Sequence, residues 1–196
     1  IKDAIKNGSK IIISNLRFEG FNKEKILFIK NKNPRKALAE AASNFYKKKP
    51  KNIIALTGTN GKTSISNFFY QILSLSKKKV AAIGTLGVLS KKIKLKTNNT
   101  TIDPIKMHQI LQKLKNSNID NVIIEASSHG LKQHRLDGLN LKTALFTNLT
   151  RDHLDYHKTF KDYLNSKLIL FNKLLLSNCL LYTSPSPTRL RSIAYA

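Results

Sequence analysis

Cysteine is almost absent from this chain of 196 residues, which contains only Cys179. An intramolecular disulfide is therefore excluded, and with it the class of small secreted domains held together by disulfides. Such sparse cysteine is typical of proteins that work in a reducing compartment. We expect a cytoplasmic protein.

Long hydrophobic runs are also missing. No stretch reaches the roughly 18 apolar residues that a membrane-spanning helix needs, so we expect no membrane partner. No charged-then-apolar leader of the secretory type is present. Hydrophobic residues still make up 41% of the chain, enough for a globular core. The chain begins at Ile1, in mid-pattern, and we expect a fragment that has lost its true start.

Acidic residues are few, 11 against 35 basic ones, and the formal net charge is +24. Such a charge is typical of nucleic-acid-binding proteins. Six of the basic residues are arginine, and the other 29 are lysines spread along the chain. The lysine runs at 47–49 and 77–79 have no interleaved aromatic residues for base stacking. We expect a solvated basic surface and no nucleic-acid partner; a non-enzymatic nucleic-acid-binding protein is the alternative.

A glycine-containing stretch, Thr57-Gly58-Thr59-Asn60-Gly61-Lys62-Thr63-Ser64, separates an apolar run at 53–56 from a helix-compatible segment at 64–76. This order is the layout of a phosphate-binding loop. Glycine lets N–H groups face an anion, and the helix start adds partial positive charge. Lys62 can reach terminal phosphates, and the Thr63 hydroxyl can ligate Mg²⁺. The spacing is shorter than G-x-x-x-x-G-K-[ST], and the alternative is a glycine-rich turn with a surface lysine.

Strand and helix patterns predict two units. In the first, residues 1–48, short strands are expected at 11–14 and 26–29, and a helix at 34–47 with one face formed by Ala37, Leu38, Ala41, Ala42 and Phe45. The polar segment 47–51 breaks the helix and is predicted to be a domain linker.

The second unit, residues 49–176, alternates strands with helices. Strands are predicted at 53–57, 80–83, 122–124 and 143–147, helices at 63–76, 104–114 and 160–176, and a polar loop with a weak hairpin at 86–103. This alternation predicts an α/β fold with a parallel sheet covered on both faces. Ligands bind beyond the carboxyl ends of such strands. Gly58, Glu125 and Asn148 each follow a strand end, so we expect them to share one site.

The composition changes at about Ser177. The tail, 177–196, contains the only cysteine, two of the five prolines, two of the six arginines and no lysine. We expect a non-native or artefactual end that takes no part in the fold. An ordinary Ser/Pro-rich linker is the alternative.

Two polar segments follow predicted strands and carry candidate chemistry. Glu125 opens the first, and a carboxylate beside a phosphate-binding loop suits Mg²⁺, directly or through water; a helix-capping acid is the alternative. The second, 148–157, combines acids, histidines and an arginine, which suggests metal and nucleotide contacts, although its spacing matches no zinc site.

TGTNGKTS at 57–64, EASSHGLKQHR at 125–135 and TNLTRDHLDYH at 147–157 closely resemble, in this order, the Mur ligases. SSHGL followed by QHR resembles the MurE type, the UDP-N-acetylmuramoyl-tripeptide synthetases of peptidoglycan synthesis, rather than its siblings or the folylpolyglutamate synthetases. The resemblance covers about residues 1–176.

The resemblance implies three domains: one for the UDP-sugar, a central P-loop-type ATPase and a C-terminal one for the added amino acid. This chain would contain the end of the small α/β UDP-sugar-binding domain (1–48) and much of the ATP-binding domain (49–176). It would lack the third domain.

The resemblance also implies roles for individual residues. ATP would be bound by Gly58, Thr59, Asn60, Gly61, Lys62, Thr63 and Ser64. The muramoyl-dipeptide would be bound by Asn99, Thr100, Thr101, Ser127, Gln133 and Arg135. Mg²⁺ would be held by Thr63, Glu125, His153 and Lys167, and the catalytic residues would be Lys62, His153 and Lys167. One departure is Ile102, where many relatives have Pro, which alters the stiffness of this loop.

Lys167 has a special implied role, because the matching lysine is carbamylated in this family. A carbamate turns a cationic amine into an anion, which can hold a second Mg²⁺ near the transferring phosphate. Without the resemblance, Lys167 would be predicted to be an ordinary exposed lysine on a helix.

The implied function is an ATP-dependent amide-bond ligase of peptidoglycan precursor synthesis. It would add a diamino acid, meso-diaminopimelate first and L-lysine second, to UDP-N-acetylmuramoyl-L-alanyl-D-glutamate through an acyl phosphate. We expect the full-length protein to be a monomer and this chain alone not to ligate. A folylpolyglutamate synthetase-like ligase is the alternative.

Overall fold

Residues 1–16 and 26–183 are described by the computed structural model of the chain, with side chains described up to residue 175. The first unit contains α1 (Lys2–Lys6), β1 (Ile11–Ser14), β2 (Leu27–Lys30) and α2 (Pro34–Phe45). β1 and β2 form a two-stranded parallel sheet in which Ile11 lies opposite Leu27. Both predicted strands are confirmed.

Helix α2 begins at the predicted residue because Asn33 caps it and Pro34 occupies its first turn; the Asn33 side chain accepts from the Lys36 N–H at 3.2 Å. The predicted apolar face is only partly correct. Ala42 is buried together with Ala39, whereas Leu38 and Phe45 are 44% and 78% exposed. Because α2 packs against the second unit through the small side chains of this strip, its contact face is rotated away from the larger apolar residues.

The second unit is built on a seven-stranded sheet of order β6-β5-β4-β7-β3-β8-β9. Its strands are β3 (Asn52–Thr57), β4 (Val80–Gly84), β5 (Gly87–Ser90), β6 (Lys94–Leu95), β7 (Asn121–Glu125), β8 (Leu141–Phe146) and β9 (Leu175–Thr183). Five of them, β4, β7, β3, β8 and β9, are mutually parallel, and β5 and β6 add an antiparallel edge. The weak hairpin predicted within 86–103 is confirmed as β5 and β6.

Helices cover both faces of this sheet: α3 (Lys62–Leu75), α4 (Pro104–Asn116), α5 (Ser128–Lys132), α6 (Leu154–His157) and α7 (Phe160–Ile169). Alternate residues of β3 point to opposite sides. Ile53 and Ala55 join the larger core with Met107, Ile110, Leu111 and Leu114 of α4. Leu56 joins a smaller core that packs against Phe69 and Tyr70 of α3. The predicted fold class, a mostly parallel α/β sheet with helices on both faces, is confirmed.

The segment after α7 differs from the prediction. The helix predicted over 160–176 ends at Ile169, a π-helical turn covers Leu170–Leu174, and β9 then pairs in parallel with β8. Residues 177–183 therefore extend the sheet, although the sequence predicted no part in the fold for them. A short apolar run cannot be assigned to helix or strand by periodicity alone, which explains the error. Residues 184–196 of the predicted tail lie outside the described residues.

Across the described ranges, none of the helices combines the length and apolar character needed to cross a bilayer. The boundaries predicted at 48 and 176 stay predictions.

Candidate functional site

The loop between β3 and α3 depends on two glycines. Gly58 has φ +146° and Gly61 has φ +84°, which L side chains rarely adopt. A Cβ at Gly58 would also overlap Thr147 Oγ1, whereas a Cβ at Gly61 would meet open space. Gly58 thus lets the end of β8 approach the loop, and Gly61 turns the chain into α3.

Asn148 holds this loop in shape. Its main-chain oxygen accepts from the Thr59 N–H at 2.9 Å, and its Oδ1 accepts from the Asn60 N–H at 2.9 Å. Its Nδ2 donates to the Asn60 oxygen at 3.2 Å. The convergence predicted from the strand ends is confirmed for Gly58 and Asn148, because both belong to this one loop assembly.

The first turn of α3 is open to an anion. No side chain from the described part of the chain caps this helix. The N–H groups of Lys62, Thr63 and Ser64 have no acceptor within the helix, and the helix start has partial positive charge. Ser64 is exposed at this end. The geometry is that of a phosphate cradle.

Lys62 is folded back over the loop. Its Nζ donates to the main-chain oxygens of Gly58 at 2.8 Å and Thr59 at 2.9 Å. Burial lowers the pKa of Lys62, while the charges of Glu125 and Asp152 oppose that shift. A half-buried ammonium held only by neutral carbonyls can move to a phosphate, which gives a stronger, charge-assisted bond.

Lys167 reaches the same loop from α7. It is 1% exposed, and its Nζ donates to the Gly58 oxygen at 2.7 Å and lies 4.5 Å from the centroid of the Tyr163 ring. Burial, followed by the charge of Lys62, lowers the pKa of Lys167 to about 7. The reading of Lys167 as an ordinary exposed lysine is wrong, since the side chain lies inside the candidate site.

Glu125 ends β7 and is 1% exposed. Its Oε2 accepts from Thr63 Oγ1 at 3.0 Å and Thr85 Oγ1 at 3.1 Å, and its Oε1 accepts from Ser66 Oγ at 3.1 Å and the Thr85 N–H at 3.3 Å. None of the ion pairs within the described ranges includes Glu125.

A buried carboxylate held by neutral donors beside a threonine hydroxyl fits a hard cation such as Mg²⁺. The capping alternative for Glu125 is wrong, because Ser127 is the residue that caps α5, accepting from the Gly130 N–H at 3.1 Å. Thr63 and Glu125, predicted as metal ligands, are thus brought together.

His153 belongs to a different element, at the start of α6. It has φ +52°, and its Nε2 lies 3.5 Å from Asp152 Oδ2. Its ring centroid is 5.0 Å from that of His129 and 6.2 Å from that of Tyr163. In the described part of the chain, no cluster of three or more His, Cys, Asp or Glu residues is arranged to hold a metal. The ligand role of His153 stays a prediction.

Four of the six predicted substrate residues form one network. Thr101 Oγ1 accepts from the Ser127 N–H at 2.9 Å, and the Thr101 oxygen accepts from Arg135 Nη1 at 2.6 Å. Gln133 Oε1 accepts from Arg135 Nε at 3.1 Å and Nη2 at 2.7 Å. The guanidinium is therefore fixed in orientation next to the Thr101 segment.

The other two predicted substrate residues are less closely joined. Thr100 Oγ1 lies 3.1 Å from Thr85 Oγ1, and the Asn99 oxygen accepts from Thr97 Oγ1 at 3.3 Å. Ile102, the departure from many relatives, is 4% exposed and belongs to the larger core.

Sequence reasoning missed Ser66, Thr85 and Tyr163. Ser66 lies one helical turn after Thr63, and Thr85 directly follows β4, so helical spacing and the strand-end rule could have found both. Tyr163 bonds to Thr59 Oγ1 at 3.0 Å through its hydroxyl, and nothing in its sequence context indicates this contact.

Residues 56–194 match the Mur ligase middle domain. The chain belongs to the Mur ligase family. This confirms the family inferred from the three motifs.

Among curated proteins, the chain is similar to the UDP-N-acetylmuramoyl-L-alanyl-D-glutamate–2,6-diaminopimelate ligases of two bacteria. It is 47% identical over 142 residues to that of Brucella melitensis, covering 72% of this chain and 29% of the relative. It is 41% identical over 175 residues to that of Rhizobium meliloti, covering 89% of this chain and 36% of the relative.

A solved structure of a protein with the same name shares 33% identity with a TM-score of 0.74, covering 87% of this chain and 34% of that one. The chain thus spans about a third of the length of these Mur ligase relatives.

Proposed function

We propose that this Mur ligase middle domain binds ATP and Mg²⁺ at the loop Gly58–Ser64 and a UDP-N-acetylmuramoyl-dipeptide at the network around Thr101 and Arg135. The observation that carries the proposal is the position of Glu125 between the two. Its carboxylate accepts from Thr63 of the loop, and its main-chain oxygen accepts from Thr101 Oγ1 at 2.8 Å. One residue therefore joins the phosphate cradle to the second network.

The proposed activity of the whole protein is ATP-dependent amide-bond formation. A carboxylate oxygen of the dipeptide attacks the γ-phosphorus, ADP leaves, and an acyl phosphate results. The amine of the added amino acid then attacks the acyl carbon, phosphate leaves, and the nitrogen loses a proton. Because the nucleophiles come from the substrates, the protein mainly positions them and neutralises charge.

The residues of this chain fit those tasks. The first-turn N–H groups of α3 would bind phosphate oxygens, and Lys62 would move from Gly58 and Thr59 to the γ-phosphate. Thr63 and Glu125 would hold Mg²⁺, with His153 and a carbamylated Lys167 as further ligands. When bound, Mg²⁺ neutralises charge on the phosphates. Arg135 would meet the anionic substrate in the orientation that Gln133 gives it.

The names of the relatives support 2,6-diaminopimelate as the added amino acid. We propose its meso form first and L-lysine second. The sparse cysteine supports a cytoplasmic location. We further propose that the full-length protein is a monomer without nucleic-acid partners, and that the part spanned by this chain does not ligate by itself.

Calorimetric titration of the chain, loaded with AMPPNP and Mg²⁺, tests the proposal with three ligands: UDP-N-acetylmuramoyl-L-alanyl-D-glutamate, a folate and duplex DNA. We expect binding of the first alone. Arg135→Ala should weaken it at least about tenfold, since a charge-assisted contact is lost. Arg35→Ala, which removes the same charge from an exposed position on α2, should have no effect.

Folate binding in place of the muramoyl-dipeptide would favour a folylpolyglutamate synthetase-like ligase. Salt-sensitive DNA binding that Lys62→Ala leaves unchanged would favour the nucleic-acid alternative.

A further inference from the structure

Thr85 lies between the two halves of the candidate site. It directly follows β4 and is exposed, yet it bonds Glu125 twice, through its N–H to Oε1 at 3.3 Å and through its hydroxyl to Oε2 at 3.1 Å. Its Oγ1 also lies 3.1 Å from Thr100 Oγ1. One side chain therefore contacts both the buried carboxylate and the Thr100–Thr101 segment.

The direction of these hydrogen bonds follows from the protons available. A hydroxyl has one proton, and an ionised carboxylate only accepts. The Thr85 proton therefore points to Glu125 Oε2, which leaves the Thr85 oxygen to accept from Thr100. The chain of bonds runs from Thr100 through Thr85 to Glu125, and each bond polarises the next.

A second route links the same two sites through the main chain. Thr101 Oγ1 donates to the Glu125 oxygen at 2.8 Å. Thr100 and Thr101 thus fix Glu125 at two levels, one at its carboxylate and one at its backbone. A ligand that displaces either threonine therefore changes how the Glu125 carboxylate is oriented toward a cation.

We propose that Thr85 is a positioning residue that orients the Glu125 carboxylate toward Mg²⁺ and couples the metal site to the segment that meets the muramoyl-dipeptide. The inference rests on the proposed function. Ser66 provides the contrast, because its single hydroxyl proton is shared between the Glu125 carboxylate at 3.1 Å and the Thr63 main-chain oxygen at 3.0 Å. Ser66 holds the carboxylate without a link to Thr100.

Mn²⁺ binding to the AMPPNP-loaded 196-residue chain, followed by electron paramagnetic resonance of the free ion, tests this role. Thr85→Val should weaken Mn²⁺ binding about tenfold, the typical effect of losing a hydrogen bond to a charged group, and Thr85→Ser should restore it. Thr100→Val should weaken Mn²⁺ binding about threefold when it is made in the wild type or in Ser66→Ala. It should have no effect on Mn²⁺ binding when it is made in Thr85→Val. Metal-free AMPPNP affinity and the circular dichroism spectrum should stay unchanged, which separates positioning from a general structural role.

Wild-type Mn²⁺ affinity in Thr85→Val, or an undiminished Thr100→Val effect in that background, would overturn the inference while leaving the proposed function intact. If Thr85→Val does not fold, the Mn²⁺ affinity of the Thr100→Val single variant tests the coupling instead. An unchanged affinity in that variant would overturn the coupling. A wild-type chain that binds neither AMPPNP nor Mn²⁺ would contradict the proposed function and this inference together.

Discussion

Lys62 and Lys167 donate to the same acceptor, the main-chain oxygen of Gly58, at 2.8 and 2.7 Å. Two ammonium groups on one carbonyl oxygen repel each other, and Lys167 is also almost fully buried. Burial and then the charge of Lys62 account for its pKa of about 7. The neutral loop compensates the positive charge of these two ammonium groups poorly. A bound anion, or loss of the Lys167 proton, would relieve their repulsion.

The first prediction concerns stability and pH. The Lys167 amine titrates at its ordinary value of 10.5 when unperturbed and at about 7 in the folded chain. Between these values the unfolded state binds more protons, so the free energy of unfolding rises with pH. From pH 7 to pH 9 the free energy of unfolding of the wild type, measured with urea, should rise by ~2 kcal/mol more than that of Lys167→Met.

Lys161→Met, at an exposed position on the same helix, is the matched control and should show the wild-type rise. A stability difference between wild type and Lys167→Met that stays constant with pH would contradict the assigned titration.

The second prediction concerns carbamylation. Above pH 7 the Lys167 amine is largely neutral, and its nitrogen can form a bond to the carbon of CO₂ with release of a proton. With ¹³C-bicarbonate, we expect one carbamate carbon resonance at pH 8 that declines at pH 6. The resonance should vanish in Lys167→Met and persist in Lys161→Met. A spectrum without it at pH 8 would argue that Lys167 remains a free amine in this chain.

The sequence predicted the phosphate-binding loop well because its determinants are local. Two glycines, a lysine and a threonine between a strand and a helix leave the loop few conformations. In the structure both glycines have positive φ, and α3 begins at Lys62. Glu125 was found because it follows the strand predicted at 122–124, and it is the last residue of β7. Thr85 directly follows β4, so the same strand-end rule could have found it; it was missed because a threonine, unlike a carboxylate, does not by itself suggest a metal site.

Other errors came from contacts that depend on distant residues. The contact face of α2 is set by its partner in the second unit, so Phe45 is 78% exposed despite fitting the apolar pattern. β9 is a strand because the edge of β8 is available for pairing, which no local pattern in 175–183 reveals. The burial of Lys167 likewise depends on Gly58, which lies 109 residues away in sequence.

The third prediction compares the two loop glycines. Gly61→Ala should cost about 1–2 kcal/mol of stability, since only the left-handed backbone disfavours a side chain there. Gly58→Ala should cost clearly more and abolish AMPPNP binding, because its Cβ would also overlap Thr147 Oγ1. Thermal unfolding and calorimetric titration of both variants provide the measurement. Equal effects at the two positions would show that the close approach of β8 is unimportant.

The fourth prediction uses Gly84 to displace Glu125. A Cβ at Gly84 would overlap the Glu125 carboxylate, although the backbone there tolerates a side chain. Gly84→Ala should therefore reduce Mn²⁺ affinity at least about tenfold while the chain still folds. In the Glu125→Ala background, Gly84→Ala should no longer lower the unfolding temperature, because its clash partner is gone. Normal Mn²⁺ affinity in Gly84→Ala would mean that Glu125 does not hold the metal.

The most direct test of the central claim is calorimetric titration of the chain with AMPPNP and Mg²⁺, for wild type, Lys62→Ala and Lys106→Ala. The last variant removes the same charge from an exposed position on α4, which controls for the general attraction of a +24 chain to anions. We predict one site in the wild type, at least about thirtyfold weaker binding in Lys62→Ala, and wild-type affinity in Lys106→Ala. Equal binding by all three proteins, or equal weakening in both variants, would contradict a specific nucleotide site at Gly58–Ser64.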